Sequence, residues 1–329
     1  MGKNIVAPPA LDNPQSPIHN WQSDVPASRY LQVSYMPDDL VYWVALHNVR
    51  GMGPATFQKL LAAYGEPAKA VLDSQRRHLA MMPRVPSPVV DGILAACDQL
   101  DEAEAQIADL TRRGIRILTF RDPAYPEPLR GISNRPPLLY CWGELTELDV
   151  RGVGIVGSTN PSAYGADLAN RFARVLARHG HTVVSGYARG IDSAAHLGAL
   201  TAKGRTVLVI PTGINRFESH QGFPSPPVLA RHGAILSEQP PDVFWTVEGA
   251  LQRNRITVAL SRALLVVETR EEGGTMHTFN IARRAGKPVF VITHRHPPAS
   301  ASGNKLAIER GGAPIGNFGD IRKILEAMG

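Results

Sequence analysis

The sequence predicts an α/β protein in which a doubly wound, mostly parallel sheet follows a small all-helical domain. Two patterns carry the prediction. Between Asp38 and Gly114 apolar residues recur at helical intervals, and from Val153 onward short β-branched runs alternate with helical segments. A third, the glycine-rich turns that close those runs, points to where a ligand would sit, because open parallel sheets bind beyond the carboxyl ends of their strands.

The elements follow in order. Residues 1–36 hold Pro8, Pro9, Pro14, Pro17 and Pro26 among Asn, Gln and Ser, with apolar residues too scattered to form a buried face, so a disordered or loosely docked tail is expected. Residues 37–114 are the helical domain. Leu40, Val41, Trp43, Val44 and Leu46 share one helical face, Gly51-Met52-Gly53-Pro54 interrupts it, and Phe57, Leu60, Leu61 and Tyr64 resume it. A further helical run from Val89 to Leu110 meets its stop at Gly114. Residues 115–150 alternate short apolar runs with Pro123, Pro126, Pro136 and Pro137, the texture of an edge or connecting segment that leads into the main domain over residues 151–329. There Val153 to Val156, Thr182 to Val184, Thr206 to Ile210, Ala234 to Leu236, Ala263 to Val267 and Pro288 to Ile292 read as strands buried on both faces. Helices are expected over Ala166 to His179, Ser193 to Ala202 and Met276 to Ala285.

Composition narrows the function. The 329 residues carry a net charge of +6, which favours an anionic partner without demanding one. Cys97 and Cys141 are the only cysteines, too few for a disulfide framework or a cysteine-based zinc site, and they fit a reducing cytoplasm. No uncharged apolar run reaches the ~18 residues that cross a bilayer. A soluble, cytoplasmic protein with no membrane partner is expected.

Three loops can carry chemistry. Gly157-Ser158-Thr159 follows the first parallel strand and could rest a phosphate on backbone donors, although the same glycines equally permit a tight turn; the Walker lysine and the third dinucleotide glycine are both missing. Ser185-Gly186-Tyr187-Ala188-Arg189-Gly190-Ile191-Asp192 closes the second strand, with Asp192 placed as a helix N-cap and Arg189 at the same edge. Glu271-Glu272-Gly273-Gly274-Thr275 follows the strand that ends at Glu268. Arg253-Asn254-Arg255, read as extended, puts two guanidinium groups on one face for forked phosphate contacts. Catalytic signals are sparse: no nucleophile elbow and no paired-histidine metal motif occur, and His294-Arg295-His296 lacks a spaced acidic partner.

Taken in this order, the residues resemble the DNA-processing protein A family, also called Smf. The resemblance spans about residues 38 to 323 and rests on Val156-Gly157-Ser158, Tyr164-Gly165, Ser185-Gly186, Ala188-Arg189-Gly190-Ile191-Asp192, Ala195-His196, Ser237-Glu238, Arg253-Asn254-Arg255 and Gly303-Asn304 ahead of Gly312-Ala313. It implies an extended Rossmann-like domain preceded by a small helical domain of SAM or helix-hairpin-helix type. It also implies single-stranded DNA binding in a basic pocket, protection of the strand, loading of a RecA-type recombinase, and a homodimer, without catalysis, cofactor or metal. The nucleic-acid contacts so expected are Gly157, Ser158, Thr159, Ser185, Gly186, Arg189, Arg253, Arg255, Gly273, Gly274 and Thr275, with Tyr187 available to stack a base.

The chain departs from the family at Thr159, where an arginine is usual, at Phe217-Glu218, at Glu272-Gly273-Gly274 and at Thr293-His294. These departures keep two alternatives open. One is a nucleotide-binding enzyme or sensor of the phosphoribohydrolase-like group, with Glu268 or Glu271 as the acid or base. The other is a scaffold of a defence or DNA-modification system that has lost DNA binding.

Overall fold

A computed structural model of the protein describes residues 39–328, so the tail expected over residues 1–36 lies outside the described residues. The first part is helical: α1 (Leu40–Asn48), α2 (Pro54–Tyr64), α3 (Pro67–Leu72), α4 (Arg76–Ala80), α5 (Ser87–Ala95) and α6 (Leu100–Arg112). Pro54, Pro67 and Pro88 occupy the first turns of α2, α3 and α5, where a missing N–H costs no hydrogen bond. Gly51 turns the chain between α1 and α2 with φ 84°, a conformation that favours glycine. The run from Val89 to Leu110 is broken by a 3₁₀ turn over Ala96–Gln99, which leaves Cys97 exposed.

Nine strands follow: β1 (Ile115–Thr119), β2 (Leu138–Gly143), β3 (Gly152–Val156), β4 (Val183–Ser185), β5 (Thr206–Val209), β6 (Gly233–Ser237), β7 (Ser261–Val266), β8 (Val289–Ile292) and β9 (Ala313–Ile315). They form one sheet in the order β1-β2-β6-β5-β4-β3-β7-β8-β9. Neighbours from β6 to β9 run parallel, while β2 is antiparallel to both β1 and β6. The proline-rich segment is therefore more than an edge. Pro136 and Pro137 precede β2 and leave its amides free to pair on both sides, and β1 takes the edge.

Between the strands lie α7 (Glu127–Arg130), α8 (Ala163–Arg178), α9 (Ile191–Thr201), α10 (Pro226–Arg231), α11 (Val247–Ala259), α12 (Gly274–Arg284), α13 (Asn304–Glu309) and α14 (Ile321–Met328). Leu168 and Phe172 of α8, Ala195 of α9 and Ile324 of α14 pack on Ile155, Val183 and Leu265 on one face of the sheet. On the other face Val258 of α11 and Phe279 of α12 pack on Leu264, Val266 and Val291. Burial on both faces is why these strands read as unbroken apolar runs. The chain runs outward from β3 to β6 on one side and from β7 to β9 on the other, so the direction of winding reverses between β3 and β7. Helices α1 to α6 share one apolar cluster with Leu200 of α9 and with Ile117, Tyr140, Leu208 and Ile235 of the sheet. No described helix is long and apolar enough to cross a membrane.

Two core histidines set a pH dependence. Burial lowers His47 from 6.5 to about 4, where its Nδ1 lies 3.2 Å from the Tyr140 hydroxyl. Burial, with the Arg253 charge second, lowers His196 to about 3, and its Nδ1 lies 2.6 Å from Thr206 Oγ1. A folded pKa below the unfolded one means that the fold holds the neutral ring. That stability is whole above pH 6.5 and is lost as pH falls toward the folded values. The loss is about 3 kcal/mol per histidine at pH 4. Thermal melts from pH 7.5 to 4 should show a falling midpoint, and His47→Gln should flatten part of the slope. A level midpoint would contradict the assignment.

Candidate functional site

The reversal between β3 and β7 opens a crevice at the carboxyl ends of the strands, the position a doubly wound sheet provides for ligands. It is a cavity of about 670 Å³, entered by the β3–α8, β4–α9, β5–α10 and β7–α12 loops and by α11. Gly157, Ser158, Thr159, Gly186, Arg189, Arg253, Gly273, Gly274 and Thr275 of the residues expected from sequence all line it. Ser185, Arg255, Glu268 and Glu271 do not.

The glycines matter through close approach. A side chain at Gly157 would fall 2.5 Å from Ile191 Cγ1, so its absence lets the β3–α8 loop lie on the first turn of α9. Gly190 has φ 81°, and a Cβ there would meet the Ser158 carbonyl at 2.4 Å. The amides of this region are partly committed already: Ser158 N donates to the Glu268 carbonyl at 2.8 Å, and Ile191 N to the Ser158 carbonyl at 3.1 Å. What remains is the pair of helix starts. Gly190 precedes α9 and Gly273 precedes α12, and neither helix has a side-chain cap, so both present the positive end of a helix; in α9 the Ile191 and Ser193 amides are already taken by the Ser158 and Ala188 carbonyls, which leaves α12 the freer start.

Asp192 is not the N-cap of α9. It is the second residue of the helix, and its carboxylate turns back to accept Gly186 N at 3.2 Å and Ala188 N at 3.4 Å. These bonds hold the β4–α9 loop in shape and remove two amides from the list of free donors. Ser185 is likewise structural: its hydroxyl donates to the Ile155 carbonyl at 2.6 Å and ties β4 to β3. Tyr187 sits at φ 57°, its hydroxyl accepts His220 N at 2.7 Å, and its ring stacks on the His220 ring at 4.2 Å between centroids. That face is closed to a base.

Arg253 and Arg255 do not share a face. The segment is helical, because Thr246 Oγ1 accepts Gly249 N at 3.0 Å and starts α11, and two residues along a helix turn by about 200°. Arg255 points to the far side. Its guanidinium makes two 2.5 Å bonds to the Glu238 carboxylate and two, at 2.9 and 2.7 Å, to the Asn134 carbonyl. Arg253 points into the cavity, 6% exposed, and lies so close over Gly186 that a Cβ there would fall 1.3 Å from Nη1. It makes no hydrogen bond to any described residue, and its Nε is buried without a partner. Burial lowers its pKa and the Asp192 charge opposes that shift; Asp192 is raised by its own burial, with Arg253 opposing.

Sequence reasoning missed Arg216 and Arg270, which line the cavity with Arg189 and Arg253. Both follow strands of the parallel sheet, Arg216 after β5 and Arg270 after β7, and that common position was the available signal. Glu218 and Glu272 also face the cavity, so acidic groups accompany the cations. The candidate bases of an enzyme reading are placed elsewhere. Glu268 is fully buried and accepts Ser162 N at 2.9 Å, the Ser162 hydroxyl, and the Ser300 hydroxyl at 2.7 Å, which uses the carboxylate to seat the start of α8. Glu271 is exposed outside the cavity. Among the described residues no group of three or more His, Cys, Asp or Glu comes together as a metal site would require. His294 instead packs edge-on against Tyr164. The arrangement is chemically an anion cradle: the positive ends of two helices, the amides of the α12 start, and one buried cation without a hydrogen-bond partner.

Comparison with known proteins bears on which anion. The family model described as DNA recombination-mediator protein A matches residues 116–328. The DNA processing protein DprA of Bacillus subtilis (strain 168) is 32% identical over 216 residues, 65% of this chain and 73% of that protein. Protein Smf of Synechocystis is 29% identical over 303 residues, 86% of this chain and 76% of that protein. Among solved structures, DNA processing protein A from Streptococcus pneumoniae matches with a TM-score of 0.68 at 26% identity, covering 86% of this chain and 97% of that one. DNA processing protein A from Helicobacter pylori, whose structure concerns its single-stranded DNA binding mode, matches with a TM-score of 0.56 at 28% identity, covering 64% of this chain and 96% of that one.

Proposed function

The chain belongs to the DNA recombination-mediator protein A family, and from that premise we propose that the cavity between β3 and β7 holds backbone phosphates of single-stranded DNA. One observation carries the reading: Arg253 is buried, charged and without a hydrogen-bond partner, directly over the cavity. A buried guanidinium normally has a forked acceptor, and a phosphate supplies one. The start of α12 adds donors, the positive end of α9 adds to the field, and Arg189, Arg216 and Arg270 extend the cationic lining outward. A recessed site favours a flexible strand, because a duplex stays straight over about 150 base pairs and cannot dip into it.

In this reading the bound strand is shielded and passed to a RecA-type recombinase by a homodimer in the cytoplasm. Family membership supports those steps, and the two free cysteines suit a reducing compartment. The Helicobacter pylori relative supports the choice of strand.

The test is a titration of fluorescent oligo(dT) at several salt concentrations, with duplex competitor. Affinity should fall linearly on logarithmic axes, with a slope of about −0.7 for each phosphate neutralised, and the duplex should compete poorly. Binding that ignores salt, or no binding at low salt, would overturn the proposal.

A further inference from the structure

The Tyr187 ring is covered by His220, and the exposed aromatic rings nearest the cavity lie on the β6–α11 loop. Phe244, Trp245 and Val247 are 67%, 59% and 63% exposed, a cluster of large apolar side chains held outward within four residues. Trp245 and Val247 line the cavity mouth, and Phe244 lies beside them. We infer that Trp245, flanked by the Phe244 face that Arg216 leaves open, forms a stacking platform for nucleobases of a strand whose phosphates occupy the cavity, an inference that rests on the reading of that cavity as a single-stranded DNA site.

Three features support it. The loop is fixed: Gly213 N donates to the Val243 carbonyl at 2.8 Å, Asn215 N donates to the Pro241 carbonyl at 2.9 Å, and Thr246 caps α11. Gly213 has no room for a side chain, since a Cβ would lie 2.2 Å from the Pro240 and Pro241 carbonyls, so the two loops are in backbone contact. The rings are thus presented on a rigid support, and little order has to be gained on binding. The second feature is charge. The Arg216 guanidinium, whose Nε donates to the Asp242 carbonyl at 3.2 Å and whose Nη2 lies 3.8 Å from the Asp242 carboxylate, covers one face of the Phe244 ring at 4.2 Å from its centre and also lines the cavity, which places a cation beside the aromatic lip. The third is chemistry: every base has a flat aromatic face, and a strand anchored at Arg253 brings its next bases past the lip. An apolar surface beside a polyanion site, with a cation seated on it, matches alternating bases and phosphates.

The experiment compares oligo(dT) with an abasic strand of the same length, on the wild-type chain and on Trp245→Ala, Trp245→Phe and Arg253→Met. Trp245→Ala should weaken oligo(dT) binding about five- to a hundredfold and leave abasic binding within about twofold, while Trp245→Phe keeps most of the affinity. Trp245 is exposed, so these variants fold. Equal affinity of the wild-type chain for both strands, with Trp245→Ala unchanged, overturns the platform and leaves the phosphate site standing. Unchanged oligo(dT) binding with altered self-association in Trp245→Ala also overturns it, in favour of a protein contact. No wild-type binding to either strand overturns the underlying reading and the platform with it.

Discussion

Arg253→Met should remove most single-stranded DNA binding while leaving the protein folded. A forked contact from a buried guanidinium to a phosphate is worth about 2–5 kcal/mol, so the affinity should fall by roughly thirtyfold to a few thousandfold. The salt slope should also become shallower, by about 0.7 if the arginine meets one phosphate. The fold should tolerate the change because Arg253 makes no hydrogen bond that would be left open, and methionine fills most of the same volume. The group affected is Asp192. It keeps its bonds from Gly186 and Ala188 but loses the charge that opposes its burial, so its raised pKa should rise further. A carboxyl raised in the folded state stabilises below its unfolded pKa and loses that contribution as pH climbs through the folded value. Thermal melts of the variant should therefore show a larger deficit at pH 8 than at pH 5. Arg253→Lys should bind between the two, since it restores charge without the planar fork. An affinity for oligo(dT) within twofold of wild type in Arg253→Met would remove the buried guanidinium from the site.

Local signals in the sequence mark the sheet well and the far-flung members of the site poorly. The strands β3 to β8 are legible because burial on both faces makes each a short apolar run, most of them closed by glycine or a polar residue. Their loops are legible for the same reason, and nine of the eleven residues expected to touch nucleic acid line the cavity. The spacing of two charges in Arg253-Asn254-Arg255 predicts an extended segment, whereas the Thr246 cap and the run from Val247 to Ala259 specify a helix, and the helix sends the two arginines to opposite sides. Asp192 looked like a cap because it sits at a strand-to-helix boundary; the burial that makes it a loop brace is a property of the packed α9 and α11, which no local pattern encodes. Tyr187 loses its stacking face to His220, thirty-three residues away, and Arg216 and Arg270 join the cavity only through the strand order. Long-range packing decides such pairings, and a single sequence carries little of it.

The opposite experiment to Arg253→Met is Arg255→Ala, which should destabilise the protein and spare binding. The side chains of Arg255 and Glu238 are only 16% and 4% exposed, and four short contacts lock the guanidinium to the Glu238 carboxylate and the Asn134 carbonyl. Removing one partner of such a pair leaves a buried carboxylate without compensation, at a cost of about 3–5 kcal/mol. For a chain of this size the midpoint of thermal unfolding should drop by roughly 4–7 °C. The loss should be specific to the orphaned charge, so Glu238→Leu combined with Arg255→Met should recover much of it, and a double-mutant cycle measures the coupling. At a temperature where Arg255→Ala remains folded, its affinity for oligo(dT) should stay within about threefold of wild type, because the side chain faces away from the cavity and its charge is already neutralised. The two arginines thus separate along different axes, one in affinity and one in melting temperature. A variant at position 255 that melts normally but binds poorly would reverse the assignment and return Arg255 to the phosphate track that the spacing of the two charges predicts.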